Sequence, residues 1–245
     1  MTAPRTRRLA LVTGAARNIG RATAIQLAGQ GFDVVVHTRQ DEAAAAEVVT
    51  AVEALGVRGR VVLADLTDAG AVTRMAEEVG PVDVLVNNAA SRPHRPFLDV
   101  DLAEWRSVFA ITVEAPYLLC HAVLPGMRER GWGRIVNTTG VRAMQGAAER
   151  ATSSSAKHAL IGLTRVLANE FGGDGITVNA VCPGTIVTDR DLRNPERMQE
   201  REGIGALGRF GRPEEVAAVI GFLASDAGGY VTGQMINANG GELMI

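Results

Sequence analysis

The chain predicts an α/β fold, a parallel sheet covered on both faces by helices, and three observations carry that expectation. Short β-branched runs recur along its 245 residues with helical stretches between them. The runs are apolar throughout instead of alternating, as strands buried on both faces are. No repeat, low-complexity segment or linker interrupts the pattern, and with 47% hydrophobic residues one domain spanning 1–245 can bury a sizeable core.

Taken in order, the first run is LALVT (9–13), and it leads into TGAARNIG (13–20), a tight turn that opens a helix. That helix shows itself by the spacing of Ile19, Ala22, Ile25, Leu27 and Ala28. DVVVH (33–37) is the second strand, and the alanine-rich DEAAAAEVVTAVEAL (41–55) is the second helix; both helices end at glycines. RVVLA (60–64), VDVLV (82–86), RIVNT (134–138), ITVNAV (176–181) and QMINA (234–238) complete the strands. The longest polar insertion, 185–205, is charged and poor in strand formers. It fits either a flap over a substrate site or a plain solvated helix-loop.

A net charge of −2 without a dense basic run argues against a nucleic-acid or membrane surface, so small molecules or further copies of the chain are the expected partners. Cys120 and Cys182 are too few for a disulfide framework and lack metal-ligand spacing. They predict buried thiols in a reducing compartment, and no metal site is expected. The basic residues before the first apolar run look like the start of a signal peptide, but the run is short and ends in a tight turn. No stretch is expected to approach the roughly 18 apolar residues of a membrane span. A cytoplasmic location is the expectation.

The turn TGAARNIG lies between strand and helix, the context that gives a glycine motif meaning. Gly14 permits the sharp turn and Gly20 lets helix approach sheet, with Arg17, Asn18 and Ile19 between them. The helix N-terminus then offers free N–H groups to a pyrophosphate. An NAD site places a carboxylate at the end of the second strand, where this chain has His37, Thr38 and Arg39. Arg17 and Arg39 could instead meet a 2′-phosphate, which favours NADPH. Asp41 and Glu42 are better assigned to the start of the next helix.

TGAARNIG, DLT (65–67), NNAA (87–90), VCPGTIVT (181–188), GRPEEVA (211–217) and YVTGQMINANGG (230–241) occur in the order found in short-chain dehydrogenases/reductases. The chain resembles the acyl-carrier-protein-reductase-like branch of that family along essentially its whole length. The resemblance implies a single-domain, Rossmann-type, doubly wound parallel sheet of seven strands, a nicotinamide cofactor and a tetramer or dimer. It implies that Asp65 and Leu66 lie toward the adenine, Asn87 and Ala89 at the middle of the cofactor, and Pro183, Gly184 and Thr188 at its nicotinamide end.

The catalytic positions depart from that family. Its members use Tyr-x-x-x-Lys, and in SSSAK the lysine is Lys157 while the tyrosine position is Ser153. The family's serine, thirteen residues before that tyrosine, falls on Gly140, and its asparagine, seven residues after Trp105, falls on Thr112. Neither tyrosine of the chain, Tyr117 nor Tyr230, fits a shifted alignment. Lys157 is the only lysine in a chain with 25 Lys plus Arg. A compact ammonium suits the family's task of holding the nicotinamide ribose. Lys157 and Ser153 are therefore the candidate catalytic residues, with Lys157 also a cofactor ligand.

A missing general acid costs about 10² to 10⁴ in rate. The expectation is an NADPH-dependent reductase acting on a substrate that tolerates that loss: an activated carbonyl, a quinone or an imine. A catalytically silent cofactor-binding or partner-binding subunit, and a non-redox dehydratase or isomerase, are the alternatives. Arg92, His94, Arg95, Arg142 and Arg150 flank the substrate by family position, which suggests an anionic or phenolic substrate or, alternatively, a solvated rim.

Overall fold

Every apolar run pairs side by side with a neighbour in parallel, because helices between successive runs carry the chain back across a sheet face. The computed structural model describes residues 7–189 and 205–245. Its strands are β1 (Leu9–Val12), β2 (Asp33–Thr38), β3 (Gly59–Leu63), β4 (Val84–Asn87), β5 (Gly133–Thr138), β6 (Ile176–Pro183) and β7 (Met235–Ala238). They form one seven-stranded sheet in the order β3-β2-β1-β4-β5-β6-β7. Val12 pairs in register with Val36 on one side and Val86 on the other. The chain order reverses between β1 and β4, so their carboxyl ends flank the crevice where α/β sheets of this topology bind ligands.

The helices are α1 (Asn18–Gly29), α2 (Glu42–Glu53), α3 (Ala69–Val79), α4 (Leu102–Phe109), α5 (Ala115–Glu129), α6 (Val141–Gln145), α7 (Ala151–Phe171) and α8 (Pro213–Ala224). One apolar cluster fills one face of the sheet, where Leu27, Val48, Ile220 and Leu223 pack on Val12, Val34 and Val84. The other fills the opposite face, where Met75, Leu119, Met127 and Ala168 pack on Leu11, Leu85 and Val178. The helix starts follow local chemistry: Asp41 caps α2 by accepting from Ala44 N at 3.3 Å, as expected of a carboxylate at that point. Gly31 and Gly56, just past the ends of α1 and α2, have φ of +89° and +81°, which glycine adopts without strain.

A π-helical turn, Ala110–Glu114, joins α4 to α5, so Leu102–Glu129 runs as one 28-residue helix whose mean hydropathy reaches 1.6. By length and composition it could span a membrane, contrary to the expectation that no stretch would. The reason for its apolarity is visible in the fold: Ala115, Leu119, Val123 and Met127 face the sheet. Of the expected flap, residues 190–204 lie outside the described residues.

Candidate active site

The glycine turn is built to let backbone meet backbone. Gly14 has φ of +62°, and a Cβ on it would sit 3.0 Å from Ala89 Cα. A Cβ on Gly20 would lie 2.2 Å from Gly14 O, so no side chain fits beneath the start of α1. The turn is held from below by Thr13, whose Oγ1 accepts from Asn88 N at 2.9 Å and Ala89 N at 3.1 Å. Asn88 Nδ2 returns two bonds, to Thr13 O at 3.0 Å and Gly14 O at 3.1 Å. Asn87 is buried beside it and donates to Asn137 Oδ1 at 2.8 Å, and Asn137 donates to Thr164 on α7. Asn18, at φ +50°, turns its Oδ1 to accept from Asp189 N at 3.0 Å, which ties the glycine turn to the segment after β6. Ile19 is half-buried against the core below. Asn88 and Thr13 were not singled out in the sequence; their signal was the polar residue that follows each of two adjacent strands.

At the end of β2 the two expected arginines are differently placed. Arg17 forms an ion pair with Asp41 across the mouth of the turn. Arg39 is exposed and its charge acts on Asp65, whose carboxylate also accepts from Thr67 N at 2.9 Å and Thr67 Oγ1 at 2.8 Å. Those bonds, first the backbone one, hold the Asp65 pKa below the usual carboxylate value. Leu66 beside it is buried in the second apolar cluster. The helix-start role of Asp41 thus coexists with a second role, the partner of Arg17, which sequence order alone does not reveal.

Across the crevice, Lys157 is buried within α7 and its ammonium donates to the carbonyl of Thr138 at the end of β5. Burial, reinforced by the Arg92 guanidinium, lowers its pKa from 10.5 to about 7. One turn earlier on the same helix, Ser153 is buried and, among the described residues, its Oγ makes only a long contact, 3.4 Å, to Arg150 O. Gly140 is extended, with φ 168°, and a Cβ there would meet nothing nearer than Pro183 O at 4.0 Å. Thr112 is buried in the π-helical turn. Its Oγ1 and that of Thr138 have no hydrogen-bond partner among the described residues. Tyr117 is 52% exposed and Tyr230 fully exposed, so neither shares the buried setting of Lys157 and Ser153.

The outer wall is made by loops. Pro183 ends β6, and Gly184 is packed so closely that a Cβ would meet Asn239 Cα at 2.8 Å. Glu242 accepts from Thr185 N at 2.7 Å and Thr185 Oγ1 at 3.2 Å, while its own carbonyl accepts from Gln145 on α6 at 3.0 Å. Leu207 N donates to Gly240 O, so with Thr185 on Glu242 both described ends of the insertion rest on the C-terminal turn, and Ile186 bridges Gly211 beside them. Thr188 is partly exposed. Arg150 donates to the carbonyls of Arg92 (2.9 Å) and Pro93 (3.3 Å), and Arg95 pairs with Glu104 at 2.8 Å. His94 pairs with Glu149 at 2.5 Å. These side chains brace the 91–95 segment. Carbonyls and a carboxylate of the chain thus engage Arg150 and Arg95.

A family profile described as enoyl-(acyl carrier protein) reductase matches residues 14–242. A 3-oxoacyl-[acyl-carrier-protein] reductase of Synechocystis sp. is 40% identical over 246 residues, covering 98% of both chains. An acetoacetyl-CoA reductase of Shinella zoogloeoides is 36% identical, covering 97% of this chain and 99% of that one. Among solved structures, a 3-oxoacyl (acyl-carrier-protein) reductase from Agrobacterium tumefaciens C58 with NADP bound superposes with a TM-score of 0.90 at 31% identity, covering 96% of this chain and 93% of that one. With the sheet order, the glycine turn and Lys157 placed as described, the chain belongs to the short-chain dehydrogenase/reductase family.

Proposed function

We propose that the protein is an NADPH-dependent reductase that works without the family's tyrosine acid, on an activated carbonyl, a quinone or an imine. The observation that carries this reading is the pairing of an intact backbone cradle at Gly14 and Gly20 with a buried Lys157, while Ser153 and Gly140 leave the acid positions bare. The NADP-bound relative supports the choice of cofactor. Gly14, Arg17, Asn18, Ile19, Gly20 and the start of α1 would receive the pyrophosphate, Arg39 the 2′-phosphate, and Asp65 and Leu66 the adenine side. Asn87 and Ala89 would line the middle, and Pro183, Gly184 and Thr188 the nicotinamide end. Bound NADPH would supply the hydride.

The chain's own contribution is orientation and charge. Lys157, fixed by Thr138 O, would hold the ribose hydroxyls, and its cation, close to half-titrated at neutral pH, would favour negative charge developing on the substrate. The Ser153 hydroxyl is too weak an acid to stand in for a phenol. The substrate must therefore yield a stable anion, bring its own proton or need none, as quinones, conjugated ketones and iminium ions do. The exposed Tyr117, Val166 and Leu102 suit association of two or four copies. NADPH consumption across quinones, imines and simple ketones tests the reading. Turnover of the first two classes supports it, and tight NADPH binding with no turnover of any class would instead identify a silent subunit.

A further inference from the structure

Among the described residues, His37 is the one titratable side chain buried in the floor of the glycine turn, and its hydrogen bonds fix its protonation state. Gly14 N donates to His37 Nδ1 at 3.1 Å. A ring nitrogen that accepts carries no proton, so the hydrogen of a neutral ring is on Nε2, which lies 3.1 Å from Ala64 O and donates to it. The backbone adds a third contact: Ala15 N donates to His37 O at 2.8 Å. One residue at the end of β2 thus holds two consecutive N–H groups of the turn after β1 and the last carbonyl before Asp65. The residue is 2% exposed.

We propose that His37 is a positioning residue of the nucleotide site: its neutral Nε2–H ring holds the glycine turn in binding shape, and protonation of that ring releases Gly14 and weakens cofactor binding. In the imidazolium both ring nitrogens are donors, so an Nδ1–H would point at the Gly14 N–H and the bond would become a repulsion. The charged residues on the surrounding segments do not rescue the cation. Arg17, from the turn before α1, is paired with Asp41, which lies after β2; Asp65, after β3, accepts from Thr67 and has Arg39 beside it. The β4 side contributes only the neutral Asn88 and Ala89. Burial accordingly pushes the His37 pKa below its ordinary 6.5, against the opposing bond to Ala64 O. The ring stays neutral at physiological pH and releases the turn only on acidification.

The proposal rests on the reading of the turn as a pyrophosphate cradle, so its test has one arm that needs no cofactor. In the unliganded protein, ring nitrogen chemical shifts of His37 should show the Nε2–H neutral form at neutral pH. The Gly14 amide signal should move together with the ring as pH falls below 6.5. An Nδ1–H ring, or a ring cationic at pH 7, overturns the proposal. In the second arm, NADPH affinity is titrated at about pH 7.5 and about pH 5.5 for the wild type and for His37→Asn, which cannot protonate. The cofactor's own 2′-phosphate titrates near pH 6 and affects both proteins equally. The wild type should lose more affinity than the variant, by less than about tenfold because the ring's pKa lies below 6.5. Parallel losses, or a gain by the wild type from a cation near the pyrophosphate, overturn it. If neither protein binds NADPH at pH 7.5, the function proposed above fails while the first arm still decides the role of His37.

Discussion

Replacing Lys157 by methionine should change how stability depends on pH, and the structure sets the size. The folded pKa is about 7 against 10.5 for a free lysine. Between those values the unfolded chain binds the proton and the folded chain does not, so stability rises with pH through that window. At about 1.4 kcal/mol per unit the whole span is on the order of 5 kcal/mol, and the part between about pH 7 and 9 is about 2 to 3 kcal/mol. Methionine has a similar length and no charge, and it removes this term while leaving the other groups in place. Urea unfolding of both unliganded proteins at about pH 7, 8 and 9 measures it. The wild type should gain about 2 to 3 kcal/mol on the variant across that range. Parallel stability curves would show that Lys157 keeps an ordinary pKa and is not desolvated as described.

Three further outcomes are expected. NADPH should bind at least about tenfold tighter than NADH, and Arg39→Ala should erase most of the difference, since one charge-assisted contact is worth about 1.5 kcal/mol or more; equal affinities in the wild type would remove the assigned 2′-phosphate site. Ser153→Ala should be nearly silent, because the hydroxyl makes only a 3.4 Å contact; a fall in kcat of about 10² with cofactor affinity unchanged would show that the serine is the acid. Glu242→Ala should raise KM more than it lowers kcat, because it frees Thr185 N from a 2.7 Å bond at the base of the insertion; an unchanged KM would show that the C-terminal turn does not position the substrate wall.

The sheet was legible because its central strands are buried on both faces and so are largely apolar, as DVVVHT shows with three consecutive valines and burial at all six residues. Gly14 and Gly20 were legible for a related reason: backbone contact forbids any side chain there, which leaves few residue types possible. Contacts between segments far apart in sequence were not. Nothing in the order of residues says that Arg17 pairs with Asp41, that Arg150 spends its donors on Arg92 and Pro93, or that Glu242 reaches Thr185. His37 stood out in the sequence only as the absence of a carboxylate, because its role depends on Gly14 and Ala64 meeting at one point in the sheet. The membrane-length apolarity of Leu102–Glu129 was missed because it emerges only when two helices and a π-helical turn are joined end to end.

The central claim is that this chain keeps the family's cofactor site and lacks its acid, and rebuilding the acid tests it most directly. Gly140→Ser is accommodated, since its backbone is extended and the nearest atom to a new Cβ is 4.0 Å away, and Ser153→Tyr places a phenol one turn before Lys157. The measurement is kcat/KM with NADPH for the wild type and this double variant, on a simple ketone and on a quinone. The variant should gain about 10² to 10⁴ on the ketone, the span a positioned general acid contributes, and change little on the quinone. A wild type that already reduces the simple ketone as fast as the rebuilt enzyme would contradict it.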